Sequence, residues 1–280
     1  MGLIFVTMWS SAFTSARIAV ADAPPFLLLS VRFLVSGVLA VAIAWAIGQR
    51  LSLSRKQWYA VILFGICQNT LYLGLNFTAM QWLEASVAVI IASALPLLVA
   101  AASWAVYGER LPKLGVAGLV AGLAGVLVIM SSRLSGGADP FGIALCVLGV
   151  ISLTVATLLV RGASTGGNVL MIVGMQMLVG SVTLLPLSML TETWHVNWTL
   201  SLFLAFTYTT LIPGLAATVI WFVLVGRIGA TRAATFHFLN PFIGVAIAAI
   251  ILSESLTIRD LAGVMVIMGG ILAVQLSSRR

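Results

Sequence analysis

Apolar residues fill this chain in ten long blocks, separated by short stretches that carry nearly all the charges, prolines and turn residues. The blocks predict helices at about 3–21, 24–47, 57–78, 84–106, 112–131, 139–161, 168–190, 199–225, 229–252 and 258–277. Each is long enough to cross a hydrocarbon core of roughly 30 Å. Inside that core a backbone must satisfy its own hydrogen bonds, which selects helices over irregular chain. The expected class is an all-α polytopic membrane protein with ten transmembrane helices.

The pattern repeats. Shifted by 145 positions, Pro96 falls on Pro241, Ala85 on Ala230, Leu111 on Leu256, Gly118 on Gly263 and Gly125 on Gly270. Pro96 precedes Glu109 by thirteen residues, and Pro241 precedes Glu254 by the same interval. This divides the chain into two five-helix repeats, 1–134 and 135–280. An odd number of spans turns the second repeat upside down relative to the first, as in alternating-access transporters.

Composition agrees: 61% of residues are hydrophobic, 8% are charged, and mean hydropathy is +1.18. The short connections leave no room for a soluble domain. The first helix lacks a basic leader and belongs to the repeat, so it does not read as a signal peptide. Cys67 and Cys146 fall in apolar blocks and read as unpaired packing residues. A formal charge of +7 could suggest nucleic acid, but the charges are sorted by loop. One set of helix ends holds ten basic residues (Arg50, Arg55, Lys56, Arg110, Lys113, Arg161, Arg227, Arg232, Arg279, Arg280) and the other only Arg133 and Arg259. That asymmetry places both termini in the cytoplasm of a bacterial-type inner membrane. Asp22, Glu84, Asp139, Glu192, Glu254 and Asp260 then lie outside. Trp45, Trp58, Tyr59, Trp82, Trp104, Tyr107, Trp194, Trp198 and Trp221 sit near helix ends, where an aromatic belt is expected.

Each half also reads Pro, about a dozen apolar residues, an acid, Leu and a Gly-rich helix: Pro96…Gly108-Glu109-Arg110-Leu111…Gly118…Gly122…Gly125 and Pro241…Ser253-Glu254-Ser255-Leu256…Gly263…Gly269-Gly270. Helix 1 adds Trp9-Ser10-Ser11-Ala12-Phe13 with Arg17 beyond; helix 2 opens on Pro24-Pro25 and carries Arg32-Phe33. The chain resembles the EamA-type transporters of the drug/metabolite transporter superfamily, and within it the YddG group of aromatic amino-acid exporters. The resemblance implies a small-molecule substrate and a cavity lined by helices 1, 3, 4, 6, 8 and 9.

Candidate chemistry begins with absences. No Gly-x4-Gly-Lys-Ser/Thr loop suggests ATP hydrolysis. No carboxylate occupies the middle third of a helix, which argues against ion coupling. There are only two histidines, one of them His195 in an outer loop, so neither an enzyme nor a cofactor or metal is expected. Pro96 and Pro241 fall near the midplanes of helices 4 and 9, where a missing donor would free a carbonyl for a substrate ammonium; the competing reading is a packing kink. Asn69, Tyr72 and Asn76 share one face of helix 3, as substrate ligands or as interhelical glue. Gln68 and Thr70 read as glue. His237 and Asn240 lie a turn apart on helix 9. Trp9 and Phe13 share a face of helix 1, whose deep polar positions include Ser11. Tyr208 precedes a break at Pro213-Gly214. Arg17 is expected to pair with Asp22. Arg32 could meet a substrate carboxylate, but contact with loop carbonyls is favoured, leaving a cavity with little fixed charge. Gly118 and Gly122 suggest tight packing of helices 5 and 10 away from the cavity. The expected substrate is a neutral or zwitterionic metabolite, most simply a hydrophobic or aromatic amino acid, with the lipid bilayer as the other partner; a phosphorylated metabolite or nucleotide sugar is the alternative. Oligomeric state is left open.

Overall fold

A computed structural model describes residues 1–108, 112–159, 168–228 and 235–277. Glu109, Arg110, Leu111, Arg161, Ala230, Arg232, Arg279 and Arg280 lie outside the described residues. The elements are α1 (Gly2–Val20), α2 (Pro25–Ala46), α3 (Arg55–Ala79), α4 (Ala85–Tyr107), α5 (Lys113–Ser135), α6 (Pro140–Leu159), α7 (Val169–Thr191), α8 (Leu200–Thr209 continued through Ala217–Ile228), α9 (Thr235–Leu239 and Asn240–Leu252) and α10 (Ile258–Ser277). Nine of these are long and apolar enough to span a membrane; Asn240–Leu252 is the shorter tenth, among the described residues. α5 runs four residues past its expected end, to Ser135, and Arg133 in its last turn is held by partners described below.

Local chemistry sets the ends. The Ser54 hydroxyl accepts from Gln57 N while the Gln57 amide accepts from Ser54 N, a reciprocal cap that starts α3. Pro25 opens α2, where its missing N–H costs nothing. Gly108 and Ser253, 145 positions apart, both end their helices in the left-handed region, at φ 66° and 55°. Glycine adopts that conformation without penalty and serine does not, so the second repeat carries a small strain there.

The repeat extends to irregularities. α3 widens into a π-helical stretch over Gly65–Leu73, and α8 does so over Thr210–Ala216, beginning 145 residues later. α4 breaks at Ser93-Ala94, so that Leu95–Tyr107 is a fresh helix with Pro96 in its first turn; α9 changes from a 3-10 turn to an α-helix at Asn240, with Pro241 in its first turn. The prolines therefore start helices rather than kink them. Contacts between the halves run antiparallel. Ser30 of α2 donates to Ser181 O of α7 at 3.0 Å, and Gly37 abuts Gly174. On the other flank Gly118 of α5 abuts Gly270 of α10, and Gly125 abuts Gly263.

Helix ends are capped across the repeat. The Glu192 carboxylate, just past α7, accepts from Phe26 N and Leu27 N at 2.7 and 3.0 Å, at the start of α2. Gln49, past α2, returns the favour: its amide oxygen accepts from Met171 N at 3.0 Å, at the start of α7. Glu254 accepts from Ala85 N and Ser86 N at 2.7 and 2.9 Å, at the start of α4. A carboxylate satisfies orphan N–H groups and meets the positive end of the helix dipole. This gives the acid that follows Pro241, Glu254, a structural role. At the same end Arg133 binds Glu84 at 2.7 Å and Asp260 through two bonds of 3.1 and 2.9 Å. Arg17 donates to Met80 O, not to Asp22, whose carboxylate instead accepts from Thr199 Oγ1 at 2.6 Å.

The outer surface is apolar, with Leu34, Val38, Leu190 and Ile250 among its exposed residues. Lipid is as apolar as these side chains, so nothing drives them inward.

Candidate functional site

Between α1, α3, α4, α6, α7, α8 and α9 lies a cavity of about 330 Å³. It extends from mid-bundle toward the end at which α1 begins, with Phe5, Trp9, Trp221 and His237 on one side and Phe64, Gln68, Pro96 and Leu153 among the rest of its wall. Phe5 stacks on Trp221 at 5.0 Å between centroids, and His237 meets Phe5, Trp9 and Trp221 edge-on at 5.3, 6.2 and 5.0 Å. Such a box suits a flat apolar group. Asn240 Nδ2 donates to His237 Nδ1 at 2.9 Å, which leaves Nε2 to carry the ring proton.

Next to it, sharing Trp9, Gln68 and Thr218, is a smaller chamber of about 50 Å³. Arg32, Asn69, Tyr72 and Asn76 enter its wall together with Phe13, Phe77 and Gly214. The broad turns of the π-helical stretches bring Tyr72 and Asn69 from α3, and Pro213 and Gly214 from α8, to this one place. Segments of this type recur at functional sites because they displace side chains from the regular helical face.

Of the residues singled out from sequence, Trp9, Phe13, Asn69, Tyr72, Asn76, Pro96, His237 and Asn240 line these chambers or the small recess between them. Asn69 also ties α3 to α7, its Nδ2 donating to Gln176 O at 2.8 Å. Three others lie elsewhere. Ser11 and Tyr208 hydrogen-bond each other at 2.7 Å, joining α1 to α8. Pro241 is buried in the first turn of its helix segment, beside Asn240, and is not among the residues lining these chambers. Thr70 is glue as expected, bonded to Thr183, whereas Gln68 faces the cavity.

Sequence reasoning missed Phe5, Gln176, Thr218 and Trp221 as wall residues. Trp221 reads as belt aromatic because it lies close to the end of an apolar block, yet the helix continues to Ile228 and leaves it inside. Arg32 is the larger correction. It touches no loop carbonyl: its Nε has no hydrogen-bond partner among the described residues, and the guanidinium stands over the rings of Phe33 and Phe77 at 5.2 and 5.8 Å. Helices α2 and α7 thus contribute to the wall beyond the six helices expected. α5 and α10 contribute nothing to these chambers among the described residues, and pack on each other through glycine.

The sequence profile of the EamA-like transporter family matches residues 1–131 and, a second time, residues 140–276. The uncharacterized transporter YvbV of Bacillus subtilis (strain 168) is 28% identical over 275 residues, covering 98% of this chain and 90% of its own. The uncharacterized inner membrane transporter YedA of Escherichia coli (strain K12) is 28% identical over 258 residues, covering 89% and 81%. A crystal structure at 23% identity superposes with a TM-score of 0.73 over 100% of this chain and 97% of that one, a likeness of fold.

Proposed function

The chain belongs to the EamA-like transporter family, and on that footing we propose that it carries neutral or zwitterionic metabolites with a bulky apolar side chain, hydrophobic or aromatic amino acids above all. The observation that carries this reading is the box of Phe5, Trp9, Trp221 and His237 around a 330 Å³ cavity in mid-bundle. Aromatic walls with a few convergent polar groups are the usual make-up of a small-molecule site. The two repeats, 1–134 and 135–280, would rock about this cavity in alternating access, exporting solute down its gradient without ATP. Their antiparallel glycine contacts and reciprocal helix caps fit two bodies that move while keeping their seams.

The test is counterflow in liposomes holding purified protein. Phenylalanine, leucine and methionine should exchange with preloaded phenylalanine, and a protonophore should leave the rate unchanged, since no described carboxylate lines the cavity. Uphill accumulation driven by an imposed pH gradient would refute uncoupled transport. A phosphorylated metabolite is the second reading, favoured by Arg32 in the cavity wall; competition by sugar phosphates with none from amino acids would decide for it.

Orientation rests on the distribution of Lys and Arg. With Cys67 and Cys146 replaced, Arg55→Cys should be shielded from an impermeant thiol reagent in intact cells and Asp139→Cys should be labelled. The opposite pattern would invert the topology.

A further inference from the structure

We infer that Arg32 and Asn76 form a head-group site that reads the carboxylate and the ammonium of an α-amino acid, and that the adjoining aromatic cavity takes its side chain. The inference rests on the amino-acid reading above and adds to it a fixed charge requirement.

Arg32 is 5% exposed and lies about seven residues into α2, roughly 10 Å along the helix. A guanidinium at that depth is costly unless it is paired or faces water. Its natural partners are all occupied. Glu84 and Asp260 are taken by Arg133. Glu192 and Glu254 cap helices α2 and α4. Asp22 accepts from Thr199, and Asp139 from Gly142 N. That accounts for six of the chain's seven acids; the seventh, Glu109, is outside the described residues. The Nε of Arg32 is left with no acceptor, and Gly214 passes so close that a Cβ there would sit 3.2 Å from Arg32 Nη2. A side chain on α8 would thus crowd the cation, and glycine leaves it clear.

Asn76 presents the opposite polarity. It is 1% exposed, its Nδ2 donates to Tyr72 O at 2.8 Å, and its Oδ1 has no donor. One small chamber therefore holds a cation lacking an acceptor and a carbonyl oxygen lacking a donor. A carboxylate answers the first and an ammonium the second. The chamber, about 50 Å³, exceeds the roughly 10–15 Å³ that a single water needs, so it admits a head group or the waters that replace one. Trp9, Gln68 and Thr218 line both this chamber and the larger aromatic cavity, so the two lie side by side. One cation matches one carboxylate; a phosphate dianion would keep a charge uncompensated.

The experiment compares phenylalanine, phenylalaninamide and phenethylamine as competitors in counterflow, for the wild type and Arg32→Gln. The wild type should favour phenylalanine over the other two by at least about tenfold. Arg32→Gln should weaken phenylalanine by about tenfold or more, leave the amide unchanged and so erase the preference. Because the ratio is taken within one protein, it does not depend on how much of the variant folds. A wild type that accepts phenylalanine and its amide equally would overturn the proposal, as would an Arg32→Gln protein that keeps the full preference. If none of the three competes with the wild type, the amino-acid reading itself fails and the head-group site fails with it. If phenylalanine competes but its preference ignores Arg32, the head-group site alone fails.

Discussion

Gly270→Val is expected to remove most of the folded protein from the membrane, while Gly269→Val, one residue away, is tolerated. The reason is the seam between α5 and α10. A Cβ at 270 would lie 2.6 Å from Gly118 O and 2.7 Å from the backbone N and Cα of Gly122. Backbone cannot step aside as a flexible side chain can, so the two helices would have to separate. In lipid there is no hydrophobic drive to hold helices together; close van der Waals contact does that work, and small residues permit it. Overpacking of this kind costs about 3 kcal/mol or more where nothing can relax. At 269 no atom lies within 4 Å of a Cβ. Thermal unfolding of the two variants in detergent checks the contrast. Equal stability would mean that the α5–α10 seam does not hold in the membrane.

Arg133→Ala should be the next most damaging change, lowering stability by about 3 kcal/mol. Asp260 is fully buried and receives two bonds from the Arg133 guanidinium, while Glu84 takes a third. Removing the cation strands a buried carboxylate, which costs more than the ion pair itself contributes. Asp260 also accepts from Thr257 N and Thr257 Oγ1 at 2.8 Å each, so it cannot turn away without uncapping α10. The double variant Arg133→Ala/Asp260→Asn should regain part of the loss, since the neutral amide keeps the shape and drops the charge. Coupling measured by a thermal double-mutant cycle tests this; additive losses would show that Arg133 and Asp260 act independently.

The ten helices were legible in the sequence because each depends on local properties. A run of about twenty apolar residues must form a helix in lipid wherever it sits. The same holds for the glycines of the α5–α10 seam, whose only message is smallness, but not for Pro96 and Pro241, which start helix segments where a kink or a freed carbonyl was expected. A polar or aromatic group buried in an apolar helix has to face protein rather than lipid, and Trp9, Asn69, Tyr72, Asn76 and His237 all stand in the walls of these chambers.

What only the tertiary structure decided is which interior surface each such group faces, a matter of helix rotation and of long-range partners. Ser11 and Tyr208 were expected in the cavity because both are polar and deep, yet they lie on facing sides of α1 and α8 and satisfy each other. Pro241 is not among the residues lining the cavity that its repeat partner Pro96 lines. Gln68 and Trp221 turn inward; the first lies in a π-helical stretch whose wider turn breaks the regular spacing, and the second lies beyond another. Arg32 shows the limit most clearly. From sequence it is a costly cation with several conceivable partners. Only when every described carboxylate is found at a helix end, already bonded, does Arg32, unpaired in the chamber wall, stand out as the fixed charge on which the head-group proposal rests.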